Sequence, residues 1–422
     1  MIPNMTPDIS MMVAVSNGNL RAAEIALRAG ASVDGDAGLE IRPLMICAGL
    51  GNSRMAKLLV ERGADLEIGT TTRSPVAEGG VTISVGSRAI HTAISSNSVG
   101  VVRVLIDAGA DLSTGDAAGR TPLMVACTLD AEDKRGRMVR LLLEAGADCT
   151  SRADDGVLAL HSAASSGDSR VIDLLLSRAP STLNHASIEG LTPLYVAAQF
   201  GHARVVEQLL SAGASNKAVR DPQVCPLRVA TDQGHDDVVR VLLTPGGMEA
   251  IGGAWVIPNS ITTAASQGRA RIVHLLIGVE GDERRGYWSR VQANGFSMLH
   301  DAAGGGHLAT LSVLLSAGAS EEALGANGMS AADMAESYLP TEERSTKRSK
   351  AVRRVLARGP AFRAWSFAWP RGRPVTAGAA SAGAADGATR EPGKLARAPL
   401  GVQVFRGEGV SVRLMERYAR KS

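Results

Sequence analysis

Eight histidines and four cysteines are the residues of this chain best suited to chemistry. Histidine titrates near neutral pH and serves as general base, proton shuttle or metal ligand. Cysteine supplies a nucleophile or a soft ligand. Zinc binding would need them in short pairs, such as CxxC or a Cys/His quartet. Cys47, Cys127, Cys149 and Cys225 stand far apart with no such pair, so neither a zinc site nor a disulfide framework is supported. No GxxxxGK[ST] loop, kinase motif set, GxSxG elbow or HExxH helix occurs either. No catalytic residue, cofactor, metal or small-molecule substrate is assigned, and the chain is read as a non-enzyme.

The histidines nevertheless follow a pattern. His91, His161 and His300 each come directly after an apolar residue, namely Ile90, Leu160 and Leu299. His202, His235 and His307 each come directly after a glycine. Only His185 and His274 fall outside both groups, and a lone histidine is more often a satisfied structural group than a base. Residues placed by a recurring slot point to recurring elements, and these are legible.

One segment recurs as Arg42-Pro-Leu-Met-Ile-Cys-Ala48, Thr121-Pro-Leu-Met-Val-Ala126, Leu158-Ala-Leu-His-Ser-Ala-Ala164, Thr192-Pro-Leu-Tyr-Val-Ala-Ala198 and Ser297-Met-Leu-His-Asp-Ala-Ala303. An apolar run with a paired Leu-Leu follows, then Gly-Ala-Asp or Gly-Ala-Ser, as at Gly63, Gly109, Gly146, Gly213 and Gly318. The apolar residue of the slot falls at Met11, Leu44, Ile90, Leu123, Leu160, Leu194, Leu227, Ile261, Leu299 and Ala332. The intervals are 33, 46, 33, 37, 34, 33, 34, 38 and 33. Thr-Pro predicts a capped helix start. The glycine after the second run predicts a left-handed helix stop.

In period and in its Thr-Pro-Leu-His-x-Ala signature the chain resembles the ankyrin repeat family over residues 9 to 358. The resemblance implies an all-α repeat solenoid of stacked helix-turn-helix units with β-hairpin fingers. It comprises about nine repeats plus an atypical C-terminal capping repeat. One unit cannot bury its own apolar face, so neighbours must stack. The six slot histidines become structural, hydrogen-bonding loops and neighbouring turns.

Composition agrees. The 422 residues are 45% apolar and 21% charged, yet hold only 5 Phe, 4 Trp and 4 Tyr. Such a core must be built from Ala, Leu, Val and Ile, which suits closely packed helices. The net charge of +3 excludes an overall strongly basic nucleic-acid binder. No run of apolar residues is long enough for a membrane span, and Met1–Met12 has no basic start or apolar core of a signal peptide. The expected setting is cytoplasmic with reduced thiols.

Three insertions interrupt the period. Between the second and third units, Leu66–Thr72 and Val81–Val85 alternate around Arg73–Gly80 and predict an elongated β-hairpin finger over 69–87, as a recognition edge or a tolerated loop. Around Leu129–Gly136, charged residues predict a solvated loop. Gly281–Arg290 sets Tyr287 and Trp288 beside arginines, favouring packing under a finger over a contact patch. The fifth unit reads Arg178-Ala-Pro-Ser181 and the seventh Thr244-Pro-Gly-Gly247, where the stack is expected to bend or loosen. The family's usual finger Asn is mostly absent, with Asp34, Glu67, Ser113 and Thr150 in its slot, which argues against asparaginyl hydroxylation of these repeats.

The resemblance implies a scaffold or adaptor that binds another protein through its concave face and fingers. Carried onto this sequence, the first-helix positions are Leu50, Ser95, Ser96, Leu129, Ser165, Ser166, Gln199, Phe200, Asp232, Gln233, Ser266 and Gln267. Leu50, Leu129 and Phe200 are apolar where solvent is expected, and Phe200 is the preferred anchor over a merely packed ring. Asp36, Asp116 and Asp155 contribute to an acidic finger rim suited to a basic or neutral partner.

The C-terminal part differs. Residues 359–373 hold four aromatics expected to seal the stack, 374–399 read as an Ala/Gly/Pro-rich linker, and 400–422 as a short basic element. Lys347, Arg348, Lys350, Arg353 and Arg354 resemble a nuclear import signal or a solvated helix face. No recognised DNA- or RNA-binding motif accompanies them. Residues 1–340 carry 27 Lys+Arg against 36 Asp+Glu, and residues 341–422 carry 18 against 6. That −9/+12 division leaves two alternatives open beside the scaffold: a nuclear regulator, and an adaptor whose basic tail occupies its own acidic face.

Overall fold

The computed structural model describes residues 6–358, apart from 36–41, 71–73, 76–81, 84, 131, 217–223, 252–256, 280–295, 326 and 339–342. Helices come in pairs, one pair per repeat. The first three units are α1 (Pro7–Ser16) with α2 (Leu20–Arg28), α3 (Pro43–Leu50) with α4 (Ser53–Glu61), and α5 (Ala89–Ser95) with α6 (Val99–Asp107). The next three are α7 (Pro122–Cys127) with α8 (Glu132–Glu144), α9 (Ala159–Ser166) with α10 (Ser169–Arg178), and α11 (Pro193–Gln199) with α12 (Ala203–Ser211). The seventh pairs α13 (Pro226–Gln233) with α14 (Asp236–Leu242) and adds the short α15 (Pro245–Ala250). The last three are α16 (Ile257–Ser266) with α17 (Ala270–Val279), α18 (Met298–Gly304) with α19 (Leu308–Ser316), and α20 (Ala331–Tyr338) with α21 (Glu343–Leu356).

The local chemistry of unit six explains the pattern. Thr192 Oγ1 accepts the Tyr195 N–H at 3.2 Å and Pro193 opens α11, so the helix starts where Thr-Pro stands. Ala197 and Ala198 are buried against neighbouring first helices. In α12, Val205, Val206 and Leu209 point inward at helical spacing. Gly213 (φ 90°) ends α12, and the Ala214 N–H reaches back to the Leu209 carbonyl at 2.9 Å. The same closure links Ala64 to Leu59 and Ala110 to Leu105, both at 3.0 Å.

Units stack in two layers, first helices against first helices and second against second. Among the described residues no aromatic ring belongs to the buried core, which is made of Ala, Leu, Val, Ile and Cys. Methionine joins them beyond expectation: Met11, Met45, Met55, Met124 and Met138 are among the largest fully buried side chains. An unbranched thioether fits the gaps between Ala-lined helices.

Two expectations are corrected. The 129–136 segment is not a solvated loop, because Glu132–Gly136 extends α8 and buries Arg135. Within the hairpin predicted over 69–87, the described residues show one short antiparallel pair, and part of each arm lies outside them. That pair joins β1 (Ser74–Pro75) to β2 (Thr82–Ile83), so β1 falls in the predicted turn. Thr70 and Ser87 close its base through a backbone hydrogen bond of 3.1 Å. The other described fingers are hydrogen-bonded turns, such as Asp116 N–H to Arg120 O at 3.0 Å and Ser187 N–H to Leu191 O at 3.0 Å.

Where the fifth unit lacks its glycine, a 3-10 turn over Pro180–Thr182 follows α10 and buries Thr182. Α10 still packs on α12. The Tyr287/Trp288 segment, residues 359–373, 374–399 and 400–422, and Asp36 lie outside the described residues.

Candidate protein-binding face

The candidate row runs along the C-terminal ends of the first helices, where the last carbonyls of each helix lack partners. The next unit supplies them. His202 Nε2 donates to Ser165 O at 2.8 Å, His235 to Gln199 O at 3.0 Å, and His307 to Ser266 O at 3.1 Å. Arg269 takes the same place in unit eight, with Nη2 to Asp232 O at 2.6 Å. In the third unit Ser96 Oγ donates to Ala48 O at 2.7 Å. Four residues of the predicted row, Ser165, Gln199, Asp232 and Ser266, are thus held by their own carbonyls.

The ladder leaves little room. Gly201 (φ 80°) ends α11, and a Cβ there would lie 2.6 Å from His235 Nδ1. Glycine is required for both the left-handed turn and the ring.

The second histidine group is buried. His91 Nδ1 accepts the Arg88 N–H at 3.4 Å and its Nε2–H donates to Arg120 O at 3.1 Å. His161 joins Leu158 N–H (3.2 Å) to Leu191 O (3.0 Å), and His300 joins Ser297 N–H (3.2 Å) to Met329 O (3.0 Å). Each ring therefore ties its own helix start to the next finger, as a neutral Nε2–H tautomer. Burial pushes His91 and His161 down to about 4. His185 is structural too, bonding Gly156 O at 3.2 Å and meeting the His161 ring edge-on at 6.0 Å.

The predicted binding residues divide by what their side chains do. Phe200 caps α11, is 44% exposed, and lies nearly parallel to the His202 ring with centroids 6.5 Å apart. Leu50 is 39% exposed at the end of α3. Ser95, Gln199 and Gln233 have no side-chain partner among the described residues. The hydroxyls of Ser165, Ser166 and Ser266 instead turn back to carbonyls three residues earlier, at 2.8 to 2.9 Å. Gln267 is tied to Asp232 and Arg269. Leu129 is not the exposed group expected: it is half-buried against the core, and its carbonyl accepts Arg135 Nε at 2.8 Å.

The acidic rim is likewise reduced. Asp116 is buried, accepting Arg120 Nη2 at 2.7 Å and the N–H groups of Ala118 and Arg120 at 3.0 Å. Burial alone would raise its pKa, but the Arg120 hydrogen bonds and charge hold it below the usual carboxylate range. It is a turn-forming residue rather than a rim charge. Asp155 is exposed, and its carbonyl accepts the Ile188 N–H at 2.9 Å.

Other contributors escaped the sequence reading. Ile188 at the tip of the next finger is 77% exposed. Asn184 Oδ1 accepts the Ser215 N–H at 2.8 Å, repeating what Asp34 does for Asp65 (2.9 Å) and Glu67 for Asp111 (2.9 Å). The signal for Asn184 was displaced by the Pro180–Thr182 turn. All five cations of the proposed import segment are exposed on α21. Arg348 is bonded to Gly306 O at 3.2 Å and Arg353 to Glu336.

The four cysteines are free and buried, with the Cys47 thiol pushed up to about 12 by burial. Among the described residues no group of three His, Cys, Asp or Glu could hold a metal ion, and no helix is long and apolar enough to cross a membrane.

Helix pairs joined by finger turns, with rings and arginines bridging each unit to the next, define a helix-turn-helix repeat solenoid. Comparison identifies its kind. Models for ankyrin repeats match residues 42–71, 76–153, 131–176 and 160–250, and the chain belongs to the ankyrin repeat family. It is similar to B-cell lymphoma 3 protein of Homo sapiens, 30% identical over 165 residues, covering 37% of this chain and 32% of that protein. It is also similar to human protein phosphatase 1 regulatory subunit 27, 38% identical over 73 residues, 17% of this chain and 45% of that one. A third relative is E3 ubiquitin-protein ligase KEG of Arabidopsis thaliana, 39% identical over 79 residues, 19% of this chain and 5% of the ligase. The chain spans less than half the length of each of these relatives. The family and these relatives support a protein-interaction role.

Proposed function

We propose that this chain is a non-catalytic scaffold or adaptor that binds another protein through the first-helix face and the adjoining fingers. The observation that carries the reading is Phe200. Its ring stands 44% exposed at the end of α11, braced by His202 and flanked by the unengaged amide of Gln199. Exposing an aromatic ring costs hydrophobic burial, and such rings commonly anchor interfaces. The exposed Asp154, Asp155 and Glu189 on the fingers favour a basic or neutral partner. Affinity purification of the intact chain beside a Phe200→Ala variant tests this. Selective loss of partners in the variant supports it, and equal recovery rejects the anchor.

Two further readings rest on charge. Import into the nucleus is supported by Lys347, Lys350 and Arg354, which face solvent on α21. A reporter fused to the whole chain should lose nuclear signal when these three become Ala; a reporter that is cytosolic from the outset removes the reading. Autoinhibition is supported by the −9/+12 division of charge about residue 340. Deleting residues 374–422 should then strengthen partner binding, and unchanged binding argues against it.

A further inference from the structure

The second helices carry a charge pattern that packing does not use. Aligned on their apolar pairs, the second helices of units one to six present Arg21, Arg54, Gly100, Arg137, Arg170 and Arg204 at one position. One turn further along, α4, α6 and α8 carry Lys57, Arg103 and Arg140, whereas α2, α10 and α12 carry Glu24, Asp173 and Glu207, so the band is most basic across units two to four. All seven arginines are exposed, on the side of the helix opposite its buried Val, Leu and Met residues.

Helix stability does not explain them. In α2, α4, α10 and α12 the arginine is the second residue of the helix, where the macrodipole disfavours a cation. Nor do ion pairs. Arg170 has Glu132 at 3.1 Å and Asp168 at 3.5 Å, but Arg21, Arg54, Arg103, Arg137, Arg140 and Arg204 have no carboxylate partner among the described residues.

We propose that this outer band is a second binding surface, which takes an acidic protein segment laid along the stack. It is separate from the first-helix face that carries Phe200. Packed helices stand about 8–10 Å apart. An extended chain advances about 3.3 Å per residue. A segment with a carboxylate at every third residue therefore meets one arginine rung per unit. The band is narrow: Glu61, Asp107 and Glu144 follow in the last turns of α4, α6 and α8, where a nucleic-acid duplex would be repelled. A single strand would want aromatic platforms, and no Phe, Tyr or Trp lies on the second helices of units one to six.

The test is fluorescence anisotropy on the full chain, with a labelled peptide of about 15 residues carrying Glu at every third position (span from). A triple variant, Arg54→Glu with Arg137→Glu and Arg204→Glu, should raise Kd at least about tenfold at moderate salt. A control with the same charge change on α21, Lys347→Glu with Lys350→Glu and Arg354→Glu, should change it less than about twofold. Equal losses in both variants would reduce the effect to net charge and overturn the proposal. So would unaltered binding by the triple variant, absence of peptide binding by the parent, or tighter binding of oligo-dT of equal length. If the triple variant unfolds, the Arg→Gln series replaces it, and it must both weaken binding and flatten the salt dependence.

Discussion

The Arg135 guanidinium meets the Asp168 carboxylate at 3.5 Å, with side chains only 6% and 1% exposed, where the fourth repeat packs on the fifth. Asp168 fills the slot that holds His202, His235 and His307 in later units. The charged residues of the α8 extension bring in the cation that this substitution requires. Removing one partner of a buried pair leaves an uncompensated charge, worth about 3–5 kcal/mol. Arg135→Met should therefore lower the urea midpoint sharply, while Arg135→Met with Asp168→Asn should recover much of the loss. A double variant as unstable as the single would show that Arg135 acts through packing alone.

Stability should fall on mild acidification. His91 and His161 have folded pKa values lowered from 6.5 to about 4 by burial. Between those limits the unfolded chain binds protons that the folded chain refuses. Their contribution is thus fully present above 6.5, falls as pH drops through the window, and falls no further below about 4. By pH 5 the loss is about 2 kcal/mol per ring. Urea midpoints measured from pH 7.5 to 5 should decline, and His91→Gln, although less stable at neutral pH, should decline less steeply. Parallel slopes for the two proteins would contradict the burial argument.

What the sequence made legible was whatever the repeat itself imposes. The Thr192-Pro193 cap, the Gly213 stop and the two histidine slots each follow from a local rule, and each is realised. The failures are at positions where the period breaks. Arg135 sits among Asp130, Glu132, Asp133 and Lys134, and composition alone reads such a run as solvated. Its burial depends on Asp168, 33 residues away. Asp116 reads as a rim charge by composition, but Arg120, four residues on, pairs with it and closes the turn. Leu129 and Phe200 occupy the same slot in different units, yet Leu129 is half-buried against the core and Phe200 is exposed. Nothing local separates them.

Two glycines separate backbone strain from steric clash. Gly201 and Gly213 both have positive φ, 80° and 90°. A Cβ at Gly213 meets nothing within 4 Å, whereas one at Gly201 falls 2.6 Å from His235 Nδ1. Gly213→Ala should cost about 1 kcal/mol, from the left-handed conformation alone. Gly201→Ala should cost more, because the ring must also move and give up its bond to Gln199 O. Thermal unfolding of the pair measures the difference. Equal shifts would mean that the His235 bridge contributes nothing to the junction.

Phe200→Ala should separate binding from folding. The ring is 44% exposed and excluded from the buried core, so its truncation forfeits only part of the area a core phenylalanine would lose. A buried Phe→Ala change costs about 3–5 kcal/mol, and the effect here should be well below that. His202 keeps its 2.8 Å bond to Ser165 O whether or not a ring lies over it. Binding should respond more strongly, because an anchor is desolvated completely only in the complex; a loss of about 2 kcal/mol in affinity is typical. The informative comparison is Leu209→Ala on α12, which removes a fully buried side chain. That variant should lower the unfolding midpoint and leave the exposed face unchanged. If Phe200→Ala instead destabilises as much as Leu209→Ala and binds its partners normally, the ring is part of the packing and the anchor lies elsewhere on the face.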